Sequence, residues 1–160
     1  MAGTTSATSG SDARFAALEP KLSPAPGPDA NVRPLVRDGR LLLMSGQVAF
    51  AGSELLATGR LGDDVDVATG TACARQCAIN LLGRLQEELG SLDEVEQVLK
   101  LTVFVASATG FREQHLVAHG ASDVFVDVLS DRGKHARSAV GMAELPLGTP
   151  VEVEAIVLAR

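Results

Sequence analysis

Residues 151–157 read Val-Glu-Val-Glu-Ala-Ile-Val, with apolar and acidic side chains taking turns. A strand with one buried and one wet face satisfies that alternation, and a helix does not. Successive side chains of a strand point to opposite faces, so Val151, Val153, Ala155 and Val157 share one side while Glu152 and Glu154 share the other. A second strand precedes it, His135-Ala136-Arg137-Ser138-Ala139-Val140-Gly141, and Leu145-Pro146-Leu147-Gly148-Thr149-Pro150 punctuates the interval as a turn. Such a turn folds the two strands alongside each other, which places Arg137 near both carboxylates. Two readings of that cluster stand side by side. It is a solvated face whose ion pairs contribute about 0–1 kcal/mol each, or Arg137 grips a carboxylate substrate through its planar fork while a Glu places a water.

The rest of the chain supplies more strands and two long helices. Leu35-Val36-Arg37, Asp38-Gly39 and Arg40 to Met44 form a hairpin signal, because Asp-Gly accepts the positive φ angles of a tight turn. That strand runs into Ser45-Gly46-Gln47, and a third strand of a meander is expected around Leu55 to Thr58. In the strand Val98 to Ala106, Leu99, Leu101, Val103 and Val105 form an aliphatic face opposite Lys100, Thr102 and Phe104. Asp66 can cap a helix from about Val67 to Leu89 that Gly90 ends. Its apolar stripe runs through Cys73, Cys77, Leu81, Leu85 and Leu89, with Gln76, Asn80, Arg84 and Glu87 facing away. A second long helix spans Gly110 to about Leu129. Helices on one side leave a mixed face bearing Lys100, Arg137, Glu152 and Glu154, and the apolar Phe104, Ile156 and Leu158 on it suggest burial against another subunit.

At 160 residues the chain holds one domain. Residues 1–10 read as a disordered tail and 11–29 as a short helix from Ser11 to Leu18 plus a proline-rich lead-in with Pro20, Pro24, Pro26 and Pro28; residues 30–160 are the domain. Twenty acidic residues against 14 basic give a net charge of -6, with five Phe and no Trp or Tyr. Neither a phosphate-neutralising stripe nor a base-stacking platform is present, so nucleic acid is not an expected partner. No apolar run approaches a membrane span, and no secretory signal opens the chain, so a cytoplasmic protein is expected. Cys73 and Cys77 read as packing residues. His115 and His119, one helical turn apart, lack a third ligand, so no metal is expected.

The runs Arg137-Ser138-Ala139-Val140-Gly141, Leu145-Pro146 and Val151-Glu152-Val153-Glu154-Ala155, with Leu43-Met44-Ser45-Gly46-Gln47 and Val98 to Val105, resemble the reactive intermediate deaminase (Rid, or YjgF) family. Some of its members are labelled L-PSP endoribonuclease. The resemblance covers about residues 30–160. It implies an α+β, chorismate-mutase-like fold, a mixed sheet with two long helices on one face, and a homotrimeric barrel with sites between subunits. The reaction implied is hydrolysis of a 2-imino acid, or its enamine tautomer, to the 2-oxo acid and ammonia, without cofactor or metal. Arg137 would anchor the substrate carboxylate and Glu152 hold the attacking water, with Ser45 lining the cleft and the backbone near Ala139 adding polar contacts.

Several positions depart from the family pattern. His135 stands where many members have Pro, Ala139 where many have Cys, Val32 where an aromatic residue is common, and His119 where an Asn is found. Those changes alter the pocket expected at Val32, His119 and Ala139. A trimer that binds small carboxylates without turning them over is the alternative reading, and an endoribonuclease a third.

Overall fold

The computed structural model describes residues 10–24 and 31–160. The tail expected over residues 1–10 lies outside them apart from Gly10, as does the part of the lead-in with Pro26 and Pro28. In chain order the elements are α1 (Ser11–Ala16), β1 (Leu35–Asp38), β2 (Leu41–Val48), β3 (Phe50–Ala51), β4 (Glu54–Leu55), α2 (Val67–Leu89), β5 (Val95–Ala106), α3 (Gln114–Leu129), β6 (Ala136–Met142) and β7 (Val151–Ala159).

The main sheet has the order β1-β2-β7-β5-β6, and β3 and β4 form a hairpin of their own. The third meander strand expected near Leu55 to Thr58 is therefore only this short ribbon. β7 is antiparallel to both β2 and β5, whereas β6 runs parallel to β5 at the edge. That corrects the expected pairing of β6 with β7. The end of β5 lies between them, with the Ser107 amide donating to the Met142 carbonyl and the Ala106 amide to the Pro150 carbonyl, both at 2.9 Å. The segment between β6 and β7 thus crosses β5 instead of turning back on itself.

Helices α2 and α3 cover one face, as the strand asymmetry requires. Leu42, Leu101, Val103, Val153, Ala155 and Val157 point into that core to meet Cys77, Leu81, Leu85, Val124 and Phe125. The Asp66 carboxylate accepts from the Thr69 amide at 2.8 Å to start α2, and Gly90 ends it at φ 79°. The two helices come close at Gly120, where an added Cβ would lie 2.1 Å from the Thr71 carbonyl oxygen. Leu99 is not in the aliphatic row. A register shift between Val98 and Lys100 pushes it outward, and Val98 takes its place in the core.

Of the polar stripe of α2 only Glu87 is on the surface, and Gln76, Asn80 and Arg84 are buried. Asn80 and Arg84 are 1% and 4% exposed because residues 21–24 and the start of β3 lie across them. Those segments carry backbone groups that no sheet satisfies, and the stripe does so instead. Asn80 donates to the Val48 and Phe50 carbonyls and accepts from the Ser23 amide, Arg84 donates to the Ser23 carbonyl at 2.6 Å, and Gln76 to that of Lys21. Helix α1 is shorter than expected and is capped by Gly10, with Ser11 buried inside it. Phe15 inserts into the core, and the Asp12 carboxylate takes hydrogen bonds from Gln86, Ser91 and the Leu92 amide. Both cysteines are buried. Burial pushes the Cys73 thiol up to about 11, and that of Cys77, which donates to the Val151 carbonyl, well above its usual value.

Candidate functional site

Arg137 aligns with Leu101 on β5, and Leu101 with Ala155 on β7. Partners in a ladder point to the same side, so the Arg137 side chain belongs to the helix face of the sheet. This corrects the expectation that it shares the open face with Glu152 and Glu154. The opposite face of β6 carries Ser138, whose hydroxyl accepts from Lys100 Nζ at 2.7 Å.

At the sheet edge Arg137 reaches α3. Its Nη1 donates to Ser122 Oγ at 2.9 Å and its Nη2 to the His115 carbonyl at 3.3 Å. Residues 115, 119 and 122 share one stripe of a 3.6-residue helix, so exposed His119 lies on the same side of α3 as the groups that hold Arg137. Among the described residues no carboxylate comes within salt-bridge reach of this guanidinium.

His135 closes the group from below. Its Nδ1 lies 2.6 Å from the Gly133 carbonyl and its Nε2 2.9 Å from Ser122 Oγ, and its ring meets Phe125 edge-on. Burial first, with the Arg137 charge adding to it, outweighs the Gly133 carbonyl and holds the imidazole below its ordinary pKa.

The β6 backbone adds donors. The Met142 carbonyl points inward to Ser107, and amide directions alternate along a strand, so the backbone groups of Arg137, Ala139 and Gly141 face the outer edge. The Ala139 side chain packs against the core.

Glu152, Ser45 and Val32 lie elsewhere. Glu152 is half-buried on the open face opposite Val48, and the β2–β7 register shift between Met44 and Gln47 sets Ser45 and Gly46 in the bulge opposite Glu154. Gly46 is the seat of the carboxylate, since a Cβ there would fall 1.9 Å from Glu152 Oε1. Burial, and secondarily Glu154, raises the Glu152 pKa. Ser45 donates to the Arg33 carbonyl at 2.6 Å. Val32 is 63% exposed ahead of β1, at the sheet edge away from β6.

One chain therefore brings Arg137, His119 and Ala139 together, and separately sets Glu152 against Gly46, the residue after Ser45. The two groups sit on opposite faces, two strand spacings or about 10 Å apart across the sheet. Ser122 escaped the sequence reading because a lone serine within an apolar helix carries no periodic signal. His135 was visible only as a departure from pattern.

A family model described as Endoribonuclease L-PSP matches residues 23–159. Protein TCP17 of Trypanosoma cruzi is 44% identical over 138 residues, 86% of either sequence. The crystal structure of Atu1372 from Agrobacterium tumefaciens, described as of unknown function, superimposes with a TM-score of 0.87 at 42% identity, covering 94% of this chain and 92% of that one. A putative endoribonuclease from Shewanella oneidensis also gives a TM-score of 0.87, at 25% identity, over 94% of this chain and 99% of the other.

Proposed function

The chain belongs to the Endoribonuclease L-PSP family, also called YjgF or Rid, and from that premise we propose that it hydrolyses 2-imino acids to 2-oxo acids and ammonia. The observation that carries this reading is Arg137. Its guanidinium is steadied by two neutral acceptors, a hydroxyl and a carbonyl, and no acidic side chain among the described residues neutralises it. A planar cation so prepared suits a ligand carboxylate.

The chemistry asks little else of the protein. The imine carbon is electrophilic, so water adds to it, and the resulting carbinolamine collapses to the ketone as ammonia leaves. Glu152 accepts a proton from the water and returns one to the departing nitrogen. Arg137 supplies orientation. Because Arg137 and Glu152 lie on different faces of one sheet, the working site takes Arg137, His119 and Ala139 from one copy and Ser45 and Glu152 from another. The open sheet face supports such an assembly, with Val36, Leu43 and Val140 at 54%, 45% and 40% exposure alongside Phe104, Ile156 and Leu158. A homotrimer in which these faces meet satisfies both requirements.

The test is direct. An amino acid oxidase generates the imino acid, semicarbazide traps what survives, and addition of the protein is expected to lower the trapped fraction. Unchanged trapping, together with a thermal shift on adding pyruvate, would identify a carboxylate binder without turnover. The net charge of -6 argues against RNA as the substrate.

Two further outcomes follow from Glu152. As the proton acceptor it works ionised, and its folded pKa lies above the ordinary 4.5, so kcat should fall on the acid side with an inflection above that value. Glu152→Gln should remove that limb of the pH profile along with most of the rate. Gly46→Ala should leave the thermal midpoint nearly unchanged yet lower kcat, since the atom it strikes is the mobile end of Glu152 and the carboxylate moves aside. Equal kcat in Gly46→Ala and wild type would show that the carboxylate position does not matter.

A further inference from the structure

The geometry points to Ser122 and His135 as positioning residues for Arg137, a two-residue brace that sets the plane in which the guanidinium meets a carboxylate. This inference rests on the reading of Arg137 as the carboxylate anchor and extends it to residues that never touch the ligand.

The direction of each hydrogen bond follows from its partners. A carbonyl only accepts, so His135 Nδ1, facing the Gly133 oxygen, carries a hydrogen. In the neutral ring Nε2 is then an acceptor, and its neighbour at 2.9 Å is Ser122 Oγ. Arg137 only donates, so Ser122 Oγ accepts from Nη1 and directs its own hydrogen to His135. The chain reads Arg137 to Ser122 to His135 to Gly133, each side chain donating to the next group and the Gly133 carbonyl accepting at its end. Burial, which moves the imidazole pKa below its ordinary value, favours this neutral form.

Each part has a physical task. Ser122 on α3 and the His115 carbonyl two turns earlier hold different terminal nitrogens of one rigid group, and two points on a planar fork fix its plane. His135 fixes the serine hydroxyl, which otherwise rotates, so that a lone pair faces Nη1 at all times. The Phe125 ring and the Gly133 carbonyl hold the imidazole from its other sides. Without the brace Arg137 keeps its charge and loses its orientation, so ligand and transition state are weakened alike, which raises KM and leaves kcat.

The test uses the full chain, pyruvate as the binding probe and imino acid hydrolysis as the kinetic one. Ser122→Ala and His135→Phe are each expected to weaken pyruvate binding and raise KM by about tenfold, the scale of one hydrogen bond to a charged group, with kcat within about twofold. Ser122→Thr restores the hydroxyl and His135→Gln an acceptor, and both should recover most of the affinity. That pattern separates a brace from general loosening, because Phe keeps the ring contact and Gln does not. Wild-type affinity in Ser122→Ala, while Arg137→Ala binds nothing, overturns the brace and leaves the anchor standing. Wild-type affinity in Arg137→Ala overturns the anchor and the brace with it.

Discussion

Arg137→Ala is expected to lower kcat/KM for 2-imino acids by roughly 10²- to 10³-fold, the scale of removing one partner from a hydrogen-bonded charge pair. The loss should fall on substrates bearing a carboxylate and spare any imine that lacks one. The fold should survive, since Arg137 stands at the sheet edge and its two bonds to α3 are local. A melting curve matching wild type beside a hundredfold slower reaction is the combined result to look for. Unchanged turnover would remove the functional reading.

Gly120→Ala is expected to do the reverse and strike the fold. Alanine favours a helix over glycine by about 1 kcal/mol, so on propensity alone the change stabilises. Against that stands a Cβ 2.1 Å from the Thr71 carbonyl oxygen, a backbone atom of α2 that cannot swing aside. Overpacking of this kind costs about 3 kcal/mol, so the clash wins by about 2 kcal/mol and the melting temperature should fall by roughly 4–8 °C. Gly70→Ala makes the useful comparison. Its Cβ would meet the Leu61 side chain, the nearest methyl at 2.7 Å, and a side chain yields more readily than backbone, so its loss should be smaller. Equal melting temperatures for Gly120→Ala and wild type would mean that the helices part without cost.

The helices were legible because periodicity and caps agreed. Asp66 and Gly90 mark the ends of α2 where the apolar stripe begins and fades. Strand identity was equally plain in the alternation of residues 151–157. What local pattern could not convey was which strands are neighbours. Alternation along β6 is satisfied equally beside β7 or beside β5, and only a crossing connection decides. The choice mattered, because pairing β6 with β5 carries Arg137 to the helix face and away from Glu152.

The polar stripe of α2 failed for a related reason. Gln76, Asn80 and Arg84 have the character of solvated residues, and their burial depends on a lead-in segment arriving from over fifty residues away. As for the candidate site, Arg137, Glu152 and Ser45 were named from family pattern. The seat at Gly46 and the brace at Ser122 and His135 exist only once β2 meets β7 and α3 meets β6.

The place of β7 bears on how the chain comes to be folded. It follows the other four strands of the sheet in the chain, yet it joins β1-β2 on one side to β5-β6 on the other. Without it, β1-β2 and β5-β6 share no ladder, and the edges of β2 and β5 stand open to pairing with other chains. One segment of nine residues therefore seals both halves of the sheet.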